Sequence, residues 1–133
     1  VNSYKRFWDK YRFDIFDTSR KSTMYVKDIV LSWNRNNKDV LQRIYDDYFH
    51  KTFGSFCFLF NPNLKLNRKA RYARLKEITD IFMDDISCDG IEINHPIFKY
   101  MKKKNYRAIY IRIVLHIWKH KFDWIWHKLL TKE

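Results

Sequence analysis

The last third of the chain, from Tyr106 to Leu130, contains neither glycine nor proline, and it constrains the fold more than any other feature. Its apolar residues recur at almost every third or fourth position, which is the spacing of a helix face. A strand is the alternative, because every odd position from Ile109 to Ile117 is apolar. Length decides for a helix, since so long a stretch without a turn signal exceeds ordinary strand length. We therefore predict a long helix whose wide apolar surface packs on more than one side.

The composition of the 133-residue chain agrees with a helical fold. Two glycines and two prolines are too few for the turns of a β-sandwich or barrel, and 46% hydrophobic residues suffice for one core. We predict one all-α domain over residues 1–133, a helical bundle of about five helices around the long C-terminal helix. Cys57 and Cys88 lack metal or redox spacing and are predicted to be reduced. We find no apolar run of transmembrane length.

Amphipathic segments separated by polar residues precede the long helix. We predict helices at Ser3 to Phe16, at Ser22 to about Trp33, from Asn37 with a favoured continuation to Phe60, at Asn67 to Ile86, and at Pro96 to about Lys104. The polar residues from Asp17 to Lys21 are predicted to separate the first two. In the second helix, the residues predicted to face the core are Tyr25 or Val26, Ile29, Val30 and Trp33.

The net charge of +12 predicts attraction to polyanions, whether nucleic acid, an acidic lipid surface or an acidic protein segment. The cations concentrate in two patches. The first is Lys65, Arg68, Lys69, Arg71 and Arg74; the second is Lys99, Lys102, Lys103, Lys104 and Arg107. The first patch opens a predicted helix that ends with Asp80, Asp84 and Asp85, which reverses the charge order that the helix dipole favours. A binding surface explains this order better than local stability does.

Tyrosines interleave with the two patches. If exposed, they could stack on nucleic-acid bases, whereas their helical spacing favours burial in the core. These tyrosines are Tyr72, Tyr100, Tyr106 and Tyr110.

Candidates for catalysis or metal binding are weaker. His116, His120, Asp123 and His127 share one face of the long helix, and histidines four residues apart can hold zinc. A solvated polar face is the favoured interpretation, because histidine pairs on helices are common and no His-Glu-x-x-His motif is present. The carboxylates cluster at Asp46 and Asp47 and again from Asp80 to Glu92, in segments expected to be exposed. We predict no enzyme activity, no cofactor and no bound metal.

Several positions resemble the PHIST domain of exported malaria-parasite proteins. The similar residues are Trp33, Arg43, Ile44, Tyr45, Phe98, Tyr100, Met101, Tyr106, Trp118 and Leu129. The resemblance implies a helical bundle without catalytic residues. It also implies export to the host erythrocyte cytoplasm near the membrane, where such proteins bind membrane-skeleton proteins and acidic cytoplasmic tails of surface adhesins.

The function predicted from the sequence is binding of an acidic protein segment, such as an adhesin tail or a membrane-skeleton protein, through the basic helix surfaces. Nucleic-acid binding through phosphate contacts at the same patches is the alternative. Apart from the resemblance, the sequence assigns no compartment.

Overall fold

The computed structural model describes residues 15–33 and 38–130, with all their side chains except those of Asn63 and residues 122–130. These residues form a helical bundle with one 3₁₀ turn, Pro62–Leu64, and no strand. The α-helices are α1 (Ile15–Ser32), α2 (Lys38–Phe58), α3 (Arg68–Ser87), α4 (Pro96–Lys102) and α5 (Tyr106–Leu130). The predicted all-α class is confirmed. The predicted helix from Ser3 lies outside the described residues, apart from its last two.

Helix α1 runs unbroken through Asp17 to Lys21, so the predicted separation there is wrong. The predicted inward face is wrong as well, because Tyr25, Val26 and Trp33 are 68%, 45% and 65% exposed. The face that packs on the bundle instead carries Phe16, Arg20, Thr23 and Lys27, at helical spacing. Two of these four side chains are charged and pair with carboxylates, Arg20 with Asp85 of α3 and Lys27 with Asp89 just after α3. This is why apolar periodicity alone indicated the other face.

Helix α2 supplies the centre of the core. Tyr45, Tyr48 and Phe56 are fully buried, and the Tyr48 ring lies 4.8 Å from that of Phe82 on α3. The helix continues through Gly54 to Phe58, as the favoured interpretation of this stretch predicted. The core therefore consists largely of aromatic rings from α2 and apolar residues from α3, α4 and α5.

The ends of α3 and α4 follow local rules that the sequence shows. The Asn67 side chain accepts a hydrogen bond from the backbone N–H of Ala70 at 2.7 Å and caps α3 as predicted. Gly90 takes a φ of 63° in the loop after α3, a conformation that favours glycine. Pro96 begins α4, where its missing N–H costs nothing. Helix α4 is shorter than predicted, and Lys104 takes a φ of 53° in the turn before α5.

Helix α5 packs against α2, α3 and α4, as expected for a central helix, while α1 packs mainly on α2. Ile109 and Ile113 are fully buried, but Ile111, Leu115 and Trp118 are 52%, 58% and 72% exposed. The wide apolar surface is present, yet only its inner side is covered within the described side chains. Phe122, Ile125 and Leu129, also predicted as core, lie outside those side chains. No helix in the described ranges is both long and apolar enough to cross a membrane.

Candidate protein-interaction surface

The acidic end of α3 is occupied by contacts within the fold. Arg20 donates two hydrogen bonds to the Asp85 carboxylate, at 2.8 and 3.0 Å, and the Tyr48 hydroxyl donates a third at 2.7 Å. Burial, together with the neighbouring Asp85 carboxylate, raises the pKa of Tyr48 above its ordinary value. Tyr48 therefore remains a neutral donor at physiological pH, and Asp85 acts as an anchor between α1, α2 and α3.

A second anchor lies just beyond the end of α3, in the turn that follows it. The Asp89 carboxylate pairs with the Lys27 ammonium, and both contact the Tyr45 hydroxyl. Burial by itself would raise the Asp89 pKa, but the hydrogen bonds from Lys27 and Tyr45 outweigh it and lower that pKa. Burial and the hydrogen bond to Asp89 raise the pKa of Tyr45 to about 12. These groups satisfy one another, so the arrangement ties the helices together.

Arg74 belongs to this internal set as well. Its side chain is only 9% exposed and forms ion pairs with Asp17 of α1 at 2.9 Å and with Glu77 at 2.8 Å. Asp80, also on α3, accepts a 2.5 Å hydrogen bond from the Tyr106 hydroxyl. Contacts between helices therefore explain much of the reversed charge order along α3. Arg74, predicted to bind a partner, instead bridges α1 and α3.

The rest of the first patch divides into structural and exposed cations. Arg71 is half-buried, donates to the Leu66 carbonyl at 2.8 Å and to the Tyr110 hydroxyl at 3.2 Å, and lies 5.1 Å from the centre of the Phe60 ring. Lys65, Arg68 and Lys69 are exposed. These three side chains are the part of the patch that a partner can reach.

The two basic patches meet in an open groove between α3 and α5, named here the basic groove. Two arginines, two tyrosines and one isoleucine line it: Arg68, Tyr72, Arg107, Tyr110 and Ile111. Its volume is about 510 Å³. Contacts of Asp80 with Tyr106 and of Arg71 with Tyr110 show that α3 and α5 run antiparallel. Arg68 and Arg107 make no ion pair with the described part of the chain.

The groove floor is apolar and partly accessible. Tyr72 is 38% exposed and its ring lies 6.1 Å from that of Tyr110, while Ile111 is 52% exposed. Of the four tyrosines that could stack on a ligand, Tyr72 and Tyr110 line the groove. The Tyr106 hydroxyl instead donates its hydrogen bond to Asp80. Burial adds to the effect of that hydrogen bond, and together they raise the pKa of Tyr106 to about 12. The groove thus presents an aromatic and aliphatic floor beside two exposed guanidinium groups.

The second patch surrounds the turn between α4 and α5. Lys102 pairs with Glu92 and lies 5.2 Å from the centre of the Phe98 ring, so its charge is partly neutralised. Lys99, Lys103, Lys104 and Arg107 are exposed. The hydrogen bond and charge of Arg112, and then the charges of Lys99 and Lys103, lower the pKa of Tyr100. Arg112 is a member of this patch that the sequence prediction did not include.

The histidine face of α5 is only partly described. His116 and His120 have ring centres 4.4 Å apart, whereas the side chains of Asp123 and His127 lie outside the described set. Burial and then the neighbouring His120 and Lys119 lower the pKa of His116. Among the described residues no group of three or more potential ligands could hold a metal ion. Both cysteines are free, with Cys57 half-buried and Cys88 exposed.

No protein family, curated protein or solved structure matches the chain. The remaining indication of function is the groove itself. Its composition could not be found from the sequence, because it depends on the antiparallel packing of α3 and α5. The sequence indicates Arg68 and Arg107 only as members of two larger basic patches, and Tyr72 and Tyr110 only as two of four tyrosines interleaved with them.

Proposed function

We propose that this chain is a non-enzymatic protein-interaction module that binds an acidic protein segment in the basic groove. The observation that carries the proposal is the meeting of Arg68 and Arg107 on one aromatic-floored groove, since they come from different patches and different helices. Guanidinium groups form strong charge-assisted hydrogen bonds with carboxylates. The partner would place acidic side chains against the two arginines and an apolar side chain on Tyr72 and Ile111.

Two further cations support the same surface. Lys65 and Lys104 both have left-handed backbone conformations, with φ of 51° and 53°. Glycine adopts this conformation without the steric cost that a lysine incurs. Local backbone stability therefore does not account for lysine at either position, and each lysine adds a positive charge three residues before Arg68 or Arg107 in the chain.

The loose similarity to PHIST domains agrees with this proposal, because members of that family bind acidic cytoplasmic tails. That this chain is related to PHIST domains stays a prediction. The groove is defined by its own lining residues and does not depend on that relationship. The contacts of the groove residues are sufficient to design the experiment.

Titration calorimetry with an Asp- and Glu-rich peptide containing one Tyr or Leu tests the proposal. Arg68→Glu combined with Arg107→Glu should weaken binding at least about tenfold, because two attractive contacts become repulsive. A matched control is Lys21→Glu with Arg43→Glu, which changes the net charge equally at exposed positions of α1 and α2. If both double variants lose affinity equally, long-range charge rather than the groove binds the peptide, and the proposal fails.

Single-stranded nucleic acid is the second candidate, and the exposure of Tyr72 between two arginines favours it, since bases stack on tyrosine rings. The salt dependence separates the two partners. Phosphate contacts to several cations give a steep linear fall of log affinity with log salt concentration. Tighter binding of an oligonucleotide than of the acidic peptide at physiological salt, with loss in Tyr72→Ala, would favour this candidate over the first.

A further inference from the structure

The outer side of α5 carries an exposed apolar seam that the basic groove does not explain. Ile111, Leu115 and Trp118 are each more than half exposed and follow one another at intervals of four and three residues. In the sequence, Phe122, Ile125 and Leu129 continue the same alternation, and the helix extends to Leu130. Alternating intervals of four and three form the heptad pattern of a helix that pairs with another helix.

The residues beside the seam carry one sign of charge. With Leu115 at heptad position a and Ile111 and Trp118 at position d, the cations at the flanking e and g positions are Arg112, Lys119, Lys121 and Lys128. No Asp or Glu occurs between Tyr106 and Lys121. In coiled coils these flanking positions choose the partner, because like charges repel across the seam and opposite charges attract.

We infer that the seam of α5 binds an amphipathic helix from a different protein, with an apolar a/d face and acidic e and g positions. A second copy of this chain would place cations against cations. The segment 1–14 of this chain is also unsuitable, because it has more cations than anions: Lys5, Arg6, Lys10 and Arg12 against Asp9 and Asp14. A lipid surface fits less well, since membrane-surface helices present a broad apolar face rather than a narrow a/d seam.

This surface is separate from the one proposed above, although the two adjoin at Ile111. The basic groove faces α3, whereas Leu115 and Trp118 lie beyond it along α5. Binding of the Asp- and Glu-rich peptide to the variant with Arg68→Glu and Arg107→Glu therefore tests the groove alone. Substitutions at Leu115 and Trp118 test the seam alone.

The probe is a synthetic peptide of about four heptads with Leu at the a and d positions and Glu at e and g. Glutamate at both flanking positions disfavours pairing of the peptide with itself. Mixing peptide and protein should increase helicity by circular dichroism and give saturable binding by calorimetry. Leu115→Gln with Trp118→Gln should weaken binding at least about tenfold, because both residues are central to the seam.

Tyr25→Gln with Val26→Gln is the matched control, since both residues are exposed apolar side chains of α1. It should leave the affinity for the peptide unchanged. A peptide with Lys in place of Glu should bind at least about tenfold more weakly. Equal binding of the two peptides, or full affinity in the Leu115 and Trp118 variant, would overturn the inference.

Two other occupants have their own readouts. If sedimentation shows a dimer that the Leu115 and Trp118 substitutions abolish, the seam binds a second copy and the inference is wrong. It is also wrong if the peptide does not bind while vesicles of phosphatidylserine and phosphatidylcholine do, with loss in the same variant. The inference predicts a monomer and vesicle binding that these substitutions do not change.

Discussion

Arg20 of α1 holds Asp85 of α3 through two hydrogen bonds, at 2.8 and 3.0 Å, across a sequence separation of 65 residues. The carboxylate is 12% exposed and also accepts from Tyr48. We expect Asp85→Ala to lower the free energy of unfolding by about 2 to 3 kcal/mol, because it leaves two donors without their shared acceptor. Urea denaturation measures this change.

Asp47 provides the control for that prediction. It pairs with Lys51 on the surface of α2 and is 63% exposed. Asp47→Ala should change the free energy of unfolding by less than about 0.5 kcal/mol, as exposed pairs within a helix do. Similar losses in both variants would show that the buried carboxylate does not anchor α1.

His95 makes the stability depend on pH. Its Nδ1 accepts a 3.1 Å hydrogen bond from the backbone N–H of Ile97 and caps α4, and protonation removes this acceptor. Burial, then the charges of His50 and His116, lower the pKa of His95 below 6.5. A group with a lowered folded pKa binds fewer protons when folded, so its contribution is present above pH 6.5 and is lost as the pH falls below that value.

We therefore expect the free energy of unfolding to fall between pH 7 and pH 5, by about 1 kcal/mol from the cap of α4. His95→Asn keeps a capping side chain without a titratable group and should reduce this pH dependence. His120→Asn, at an exposed position, should not alter the His95 contribution. Urea melts at both pH values measure the effect, and an unchanged pH dependence in His95→Asn would disprove the assignment.

Lys104 separates stability from binding. Because its φ of 53° suits glycine, Lys104→Gly should leave the free energy of unfolding unchanged or raise it by up to about 1 kcal/mol. The same change removes a cation three residues before Arg107 in the chain and should weaken binding of the acidic peptide about two- to threefold. Thermal unfolding and calorimetry on one sample test both directions. A destabilised variant with full affinity would contradict the account.

The helices and their caps could be predicted because their signals are local. Asn67, Pro96 and the uninterrupted stretch after Tyr106 act within a turn or two of helix, and the structure has each where the sequence placed it. The orientation of α1 could not be predicted in this way. Its packed face is defined by Arg20 and Lys27, whose partners Asp85 and Asp89 lie at the end of α3 and just after it.

The same reason limits what the sequence shows of the site. Arg68 and Arg74 are the same residue type on one helix, but Arg68 is exposed, whereas Arg74 is buried and pairs with Asp17 of α1 and with Glu77. Arg107 could be assigned to a basic patch, but its place on a groove with Arg68 depends on how α5 crosses α3. Ile111 belongs to the wide apolar surface predicted for the long helix, and the exposure of its side chain follows only from the packing.

The central claim is that acidic segments bind in the basic groove. Its most direct test is a ¹⁵N–¹H NMR titration of the labelled protein with the Asp- and Glu-rich peptide. We predict that the largest shift changes occur at the amides of Arg68, Tyr72, Arg107, Tyr110 and Ile111, saturate with peptide and lie outside α1. Changes centred on α1, or none at concentrations where calorimetry detects binding, would contradict the account.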